Sequence, residues 1–552
     1  MSRPERWLLA LAVIVATGTL AVGLGRTDLW PPNETRVAEI SREMLAGGSW
    51  WVPHLNGRPF LEEPPLFYWL QAGLYRIAGG PSALTARIPA AAGGIVGVVV
   101  TIVLARAVGA NAAVAALVLA TAPEWWWMAR TATPDTANAA ATAGALVALY
   151  AARESGSSAM LALAVAGAAA AFWLKSFLGI GLALATAIAF LALAGRGRLS
   201  RRQLACAGLA LAALVASWLL VVSAAEGRGG LGFFLVQNHL GRLLGHGGHG
   251  HLRPVDYYAR NLVLDVLPWS IALPAAFATA WRSRRDVGRL FPIVWAAVMT
   301  LLLSVSATKT AHYLLPAYPA FAVLVARWWS EAGDRALDRL TWIALAATFV
   351  VVLPAATLVL TTLDPATAIS RLADTSDRIS AAIGFVLEAR IGAFALWTVP
   401  VFALGMAVVL VRRTHRPLAA VAAAMSGVAV HLLTVAIALP AFDRFVSARP
   451  IGESLGRVAD AGVSVFTHGF DNREAVSPFM FYARRTFPEA SSNDDLERRL
   501  ASGPACALLP AEAYERVAHR VPTLPAVRRT LGARGLVLLS GSAGGCPPDG
   551  AT

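Results

Sequence analysis

Apolar runs of about 20 residues recur along most of the chain, the length a helix needs to cross the hydrocarbon core of a bilayer. The runs are continuous rather than alternating, so they read as helices. They predict spans at about 7–24, 84–106, 108–122, 135–152, 158–173, 176–194, 204–224, 262–281, 290–306, 311–328, 340–362, 391–411 and 418–440, about 13 in all. The apolar segment 66–79 is too short to cross and is expected at the interface or as a partial helix. No small-residue cleavage site precedes Arg26, so the first run reads as an anchor. Beyond residue 440 the pattern changes. Short apolar runs (463–466, 505–509, 536–539) alternate with charged helical stretches (Asp494 to Leu500, Glu512 to Val521). That pattern predicts a small α/β domain over 441–552, after a transmembrane domain over 1–440.

Composition agrees with a membrane chain: 57% of residues are hydrophobic and 14% charged. A soluble globule carries roughly 25% charged residues. The net charge of +14 comes from arginines in short loops between spans, which explains it without nucleic acid. Arg3 and Arg6, Arg106, Arg153, the group 196–202, the group 282–289, Arg327 to Arg339, and Arg412 to Arg416 fall in alternate loops. By the positive-inside rule those loops are cytoplasmic. The N-terminus is then cytoplasmic, and loops 25–83, 123–134, 225–261, 307–310 and 363–390 face outward from an inner, plasma membrane. An odd span count puts the tail outside as well. Of three cysteines, Cys206 lies in a span and no zinc spacing occurs. Cys506 and Cys546 can pair if the tail is extracytoplasmic.

Arg87, Arg130, Asp135, Lys175, Asp265, Lys309 and His312 all fall at predicted outer span ends. Snorkelling to the interface would populate both ends, and mostly with bases. Acids among them, on one side only, point to a shared polar cavity on the external face.

Loop 25–83 is the densest candidate. Glu34, Arg36, Glu39, Arg42, Glu43, Glu62 and Glu63 crowd into a charge-poor chain. Pro31-Pro32 predicts an extended path, and Asn33 a cap for a helix with Glu34 in its first turn. Glu34, Val37, Glu39, Ile40 and Met44 have amphipathic spacing, so that helix is expected to lie flat on the membrane.

The stretch Leu29-Trp30-Pro31-Pro32-Asn33-Glu34-Thr35-Arg36 to Met44 resembles the signature of GT-C glycosyltransferases that use polyprenyl-phosphate sugars. The likeness is to the branch holding the lipid A aminoarabinose transferases and the protein O-mannosyltransferases. Phe60 to Trp69 resembles the next motif of that family, and Ala86-Arg87-Ile88-Pro89 the span after it. Arg130 with Asp135, Lys175, His239 with Arg242, His251 to Tyr257-Tyr258, Pro268-Trp269, and Lys309 through Tyr313 to Pro316 match in order. The resemblance covers roughly 1–440. It implies a polytopic helical GT-C fold and an inverting transfer of a hexosyl or pentosyl group. The donor would be a polyprenyl-phosphate sugar, and the acceptor a lipid or protein such as lipid A. It places the acceptor-activating base at position 33, and Asn33, Glu34 and Asp135 are the catalytic candidates. It assigns substrate binding to Arg36, Arg58, Glu63, Arg87, Arg130, Lys175, Arg242, Tyr257, Tyr258, Lys309 and Tyr313.

Two positions depart from the family. Asn33 stands where an Asp is usual, and Asn cannot take a proton at neutral pH. Glu34 or Asp135 would then serve, or an already ionised acceptor would need only orientation. Glu63 stands where Lys is frequent, removing one cation near the donor phosphate; Arg58, Lys175 or Lys309 are the expected replacements. Residues matching Glu62 and His251 bind a metal in the lipid A branch, so a divalent metal is the one implied cofactor. The alternative for the histidines at 246, 249 and 251 is a solvated glycine-rich loop. His431, mid-span, reads as a packing residue.

The chain has no phosphate-binding glycine loop, no Asp-x-Asp pair, and no cytoplasmic segment large enough for a nucleotide fold. A nucleotide-sugar donor is therefore not expected. Two other readings remain. A secondary transporter would carry ionisable groups near mid-bilayer or repeat-related broken spans. A non-catalytic homologue would bind the lipid-linked sugar without transferring it.

Overall fold

The computed structural model describes residues 3–245, 252–333, 335–347, 416–532 and 534–547. The predicted span 391–411, most of 340–362 and loop 363–390 lie outside the described residues.

Helices dominate up to residue 446. α1 (Arg3–Ala21), α2 (Asn33–Leu45), α3 (Leu66–Ile77), α4 (Ala83–Ala107), α5 (Ala112–Thr121), α6 (Pro123–Ala129), α7 (Asp135–Ser155), α8 (Ser158–Ala194) and α9 (Arg201–Gly232) follow in order. Among the described residues four helices are long and apolar enough to cross a membrane, or up to six if each bent pair is one span. α5 is bent by 70° against α6, so the segment expected as loop 123–134 begins with a helix started by Pro123. The predicted span 262–281 is not continuous. Tyr257–Asp265 and Trp269–Arg282 meet at 119°, with Pro268 at the break. The predicted loop 225–261 is also shorter than expected, because helical structure continues from α9 through a π-helix at Phe233–Gly241.

α8 carries two predicted spans in one run, and Lys175 and Ser176 break it. Ser176 has φ 61°, outside the helical region, and its hydroxyl bonds the Phe177 N–H at 2.6 Å. Small residues let the neighbouring helices close on this region. A Cβ on Gly97 of α4 would sit 2.3 Å from the Trp125 ring, and one on Gly179 of α8 would sit 2.2 Å from the Asn138 amide of α7. The closeness of α7 and α8 brings the start of one to the break in the other.

The tail carries a four-stranded sheet of order β3-β4-β6-β5. Its strands are β3 (Ser464–Thr467), β4 (Ala505–Pro510), β5 (Ala526–Leu531) and β6 (Arg534–Ser540). β3 runs parallel to β4, and the other pairs are antiparallel. Helices Arg449–Asp460, Ser477–Ala483, Asn493–Ala501 and Ala511–Val517 accompany it. Cys506 and Cys546 are bridged. Val37, Ile40 and Met44 of α2 share one apolar cluster with Ile451, Leu455, Phe479 and Met480 of the tail. Polar bonds add to this junction: the Leu29 N–H donates to Tyr482 Oη at 2.7 Å, and the Asp28 N–H and Trp30 Nε1 donate to Asp443.

Candidate active site

α2 does not lie flat on a membrane. Ten of its residues are buried, on every face, between α3, the tail helix Ser477–Ala483 and a small hairpin (β1 His54–Leu55, β2 Arg58–Pro59). Asn33 is its first helical residue rather than its cap. Its side chain is exposed and caps nothing, and Pro31-Pro32 forms a turn, not an extended path.

Glu34 follows and is 4% exposed. Its carboxylate accepts Arg87 Nε and Nη2, both at 2.8 Å, and the N–H groups of Trp30 at 2.9 Å and Ala132 at 2.8 Å. Arg87 gives its remaining donors to the carbonyls of Leu24, Thr27 and Asp28 at 2.7 to 2.9 Å. A carboxylate offers about four lone-pair sites, and these are taken. Glu34, expected as a base, and Arg87, expected as a substrate ligand, thus pair with each other here. The two clamp the start of the loop to α4 and to the corner before α7.

A second group is arranged differently. Asp135, the first residue of α7, is ion-paired to Lys175 at the break in α8. His312 Nε2 lies 3.7 Å from Asp135, and Lys175 Nζ lies 5.2 Å from the Tyr313 ring centroid. Glu63 faces Lys175, Arg36, Asp135 and Glu62, and accepts the Tyr68 hydroxyl at 3.3 Å. Arg36 in turn faces Glu62 and Glu63, and pairs with Glu474 of the tail at 2.7 Å. Burial pushes the Glu63 carboxyl above its ordinary value, against the pull of Lys175 and Arg36. Positions 36, 62–63, 135, 175 and 312–313 thus converge from five stretches of sequence, mixing two cations with three acids and an imidazole.

The other expected ligands lie elsewhere. Lys309 is buried and donates to the carbonyls of Arg253, at 3.0 Å, and Ser306. Expected at the donor phosphate, it ties residues 253 and 306 together here, beside the Leu252–Thr308 bridge. Tyr258 is buried too, and its hydroxyl donates to the Thr310 carbonyl at 3.2 Å. Tyr257 stacks edge-on to it at 5.3 Å, with Arg253 at 5.8 Å from the Tyr257 ring. Arg58 is exposed on β2, past the Asn56-Gly57 turn whose N–H groups Glu43 accepts at 2.6 and 2.9 Å. Arg130 lines a separate cavity with Asn33. The Arg242 side chain and His251 lie outside the described residues. Among the described residues no three His, Cys, Asp or Glu side chains form a metal-holding group. His431 stacks on Trp126 at 4.2 Å.

Sequence reasoning set His312 at the outer face without giving it a role, and it missed Glu474, Asp443 and Tyr482. The last three have no local motif. They act through contacts more than 400 residues distant in sequence.

Residues 62–221 match the family model described as dolichyl-phosphate-mannose-protein mannosyltransferase. Undecaprenyl phosphate-alpha-4-amino-4-deoxy-L-arabinose arabinosyl transferase 1 of Sodalis glossinidius is 31% identical over 340 residues, 60% of each chain. The corresponding transferase of Pseudomonas aeruginosa (strain UCBPP-PA14) is 31% identical over 333 residues, 59% of this chain and 60% of that one. The chain thus spans about 60% of the length of the curated relatives it matches. The crystal structure of ArnT from Cupriavidus metallidurans bound to undecaprenyl phosphate superposes with a TM-score of 0.77 at 22% identity, covering 98% of this chain and 99% of that one. The apo form of that protein gives 0.79 at 21% identity, covering 99% and 100%. The chain has the GT-C fold of those structures. The resemblance of its loop motifs to GT-C glycosyltransferases of the aminoarabinose transferase and O-mannosyltransferase type is borne out.

Proposed function

We propose that the protein is a membrane glycosyltransferase that moves a sugar from a polyprenyl-phosphate carrier to an acceptor on the external face of the inner membrane. Lipid A is the leading acceptor, because the curated relatives are undecaprenyl-phosphate aminoarabinose transferases. Other envelope lipids, glycans or proteins are the remaining choices. The observation that carries the reading is the convergence of Arg36, Glu63, Asp135, Lys175 and His312 beside the loop whose motifs resemble that family. The N-terminus is cytoplasmic in this reading, and residues 441–552 form an extracytoplasmic domain, where the Cys506–Cys546 bridge would persist.

The chemistry follows from the charges. Lys175 and Arg36 hold the donor phosphate. Binding that anion draws Lys175 away from Asp135 and leaves an Asp135 oxygen free. The acceptor oxygen bonds to the anomeric carbon as the carbon–oxygen bond to phosphate breaks, and the electron pair leaves on the phosphate. Asp135 takes the acceptor's proton when the acceptor is a hydroxyl, and Lys175 and Arg36 stabilise the departing phosphate. One displacement inverts the sugar. A divalent metal, if Glu62 and His251 hold one, would add charge stabilisation at the phosphate.

The test is transfer from a synthetic polyprenyl-phosphate aminoarabinose to lipid A in detergent. Asp135→Asn and Lys175→Gln are each expected to lower kcat/KM by about a hundredfold or more, the range for losing a positioned acid–base group or charge donor. Transfer from a nucleotide sugar with no lipid carrier present would overturn the reading.

A further inference from the structure

A cavity that none of the Asp135–Lys175 cluster lines opens beside the start of α2. Trp30, Asn33, Trp127, Arg130 and Thr131 line it together with the Glu34–Arg87 pair. Its charge does not balance. Glu34 is matched by Arg87 at 2.8 Å. Arg130 is 7% exposed, yet among the described residues its one hydrogen bond goes to the Leu20 carbonyl, 3.4 Å from Nη1, and its Nε has no partner. The rest of the guanidinium rests 5.3 Å from the Trp126 ring. Among the described residues the charged side chain that acts on it is Arg87, of the same sign. Among the described residues, one full positive charge is thus buried against a cavity without a counter-ion.

A buried charge lacking a partner is costly, by several kcal/mol in real proteins. Water at the cavity relieves part of that cost, and an oxyanion entering it would relieve more. A guanidinium is a planar, permanently charged donor group suited to the oxygens of phosphate or carboxylate. Asn33 matters for the same reason. It sits exposed in the cavity wall and is neutral, whereas a carboxylate there would offer Arg130 an internal partner. The indoles of Trp30 and Trp127, with Leu24 and Leu439 beside them, give the cavity apolar walls suited to the organic part of an amphiphile.

We propose that this cavity is a second anion site, in which Arg130 binds a phosphomonoester carried by an amphiphile and the neutral Asn33 keeps that charge available. On the transferase reading, on which only this placement rests, it holds the acceptor's phosphate while the Lys175 cluster holds the donor's. Arg130 is a binding residue here, and Asn33 sets the sign of the charge the cavity accepts.

The experiment measures binding, not turnover, on the full chain purified in neutral detergent. Dodecyl phosphate, inorganic phosphate and neutral dodecyl maltoside are titrated at constant ionic strength, read by tryptophan fluorescence and by the thermal midpoint. Dodecyl phosphate is expected to bind saturably and raise the midpoint, while the maltoside does neither. Arg130→Gln and Asn33→Asp should each weaken dodecyl phosphate at least about tenfold, or 1.4 kcal/mol. Arg130→Lys should keep part of the affinity, which separates loss of charge from collapse of the corner. Asn33 is exposed, so its variant tests the site without disturbing a core. Dodecyl phosphate also occupies the donor cluster, so Lys175→Gln should remove that component and leave the component lost in Arg130→Gln within about threefold of the original, less than the roughly 1.4 kcal/mol of a tenfold change. Inorganic phosphate binding as tightly as dodecyl phosphate would support the anion site with a soluble rather than a lipid source. Unchanged affinity in Arg130→Gln, or loss in Lys175→Gln alone, overturns the proposal. A protein that binds dodecyl phosphate through Arg130 but transfers no sugar would sink the transferase reading and leave the anion site standing.

Discussion

Replacing Glu34 by Gln separates a carboxylate that holds the loop from one that works in the reaction. Both oxygens are committed, to two Arg87 N–H groups and to the N–H groups of Trp30 and Ala132, at 2.8 to 2.9 Å. Gln keeps the shape but puts an NH2 where one oxygen was. Whichever way it turns, that NH2 faces one guanidinium donor and one backbone donor, and both lose their acceptor. Arg87 also loses the carboxylate that pairs with it. Removing one member of a buried ion pair costs about 3–5 kcal/mol. Two lost hydrogen bonds, one of them between charged groups at about 1.5–3 kcal/mol and one from a backbone N–H, give a similar sum. Glu34→Gln is therefore expected to destabilise the protein by about 3–5 kcal/mol, and Arg87→Met by a similar amount. The double variant Glu34→Gln/Arg87→Met should lose less than the two added together, with a coupling of roughly 2–3 kcal/mol. Unfolding in mixed micelles of rising SDS fraction, followed by tryptophan fluorescence, reads each value. A Glu34→Gln protein that is inactive yet within about 1 kcal/mol of the original, below the cost of one stranded buried donor, would refute the clamp and return Glu34 to the chemistry.

Lys309→Met should lower stability by about 1–3 kcal/mol, because the carbonyls of Arg253 and Ser306 lose their donor, and leave the KM for the lipid donor near its original value. A raised donor KM with unchanged stability would put Lys309 back at the phosphate. In a Cys206→Ser background, a cysteine replacing the exposed Arg228 should react with an impermeant maleimide on intact spheroplasts. Reaction only after permeabilisation would invert the orientation and the mechanism with it. Cys506 and Cys546 should resist alkylation until a reductant is added, and free thiols there in protein isolated under non-reducing conditions would contradict an extracytoplasmic tail.

Much of the helical frame was legible because bilayer-length apolar runs are a strong signal. The runs even resolved the break in α8, since Lys175 interrupts an otherwise apolar stretch. The 119° bend between Tyr257–Asp265 and Trp269–Arg282 was missed because the stretch is mostly apolar, and Asp265 and Pro268 were its marks. Three of the four tail strands stood out as apolar runs. β5 did not, because Arg528 and Arg529 belong to an edge strand with one half-buried and one exposed face. For the site, residue type located the charged groups but could not say how each is used. Glu34 and Asp135 are both buried acids in the motif region. Only geometry shows that four donors saturate the first, while the second meets a lysine and an imidazole.

The charge density of loop 25–83 has a physical explanation that composition alone could not supply. Most of it builds a polar core rather than a reaction surface. Glu39, fully buried, takes Arg42 through two bonds at 2.6 and 2.7 Å, and Arg42 continues to the Arg484 carbonyl at 3.1 Å. Ser41 donates to Gln71 and Gln71 to the Ala86 carbonyl, both at 2.7 Å, which ties α2 to α3 and α4. Glu43 closes the hairpin turn, and Glu34 closes the loop onto Arg87. A helix with charges buried on every face cannot be stable on a membrane surface by itself. It needs the tail to cover one side and α3 to cover another, and the loop and tail are partners for that reason. Once these groups are spent, Arg36, Glu62 and Glu63 are what the loop offers the Asp135–Lys175 cluster. In the proposed transfer, groups that work on a departing phosphate must be held in place before the charge moves, and the saturated acids of α2 would hold them.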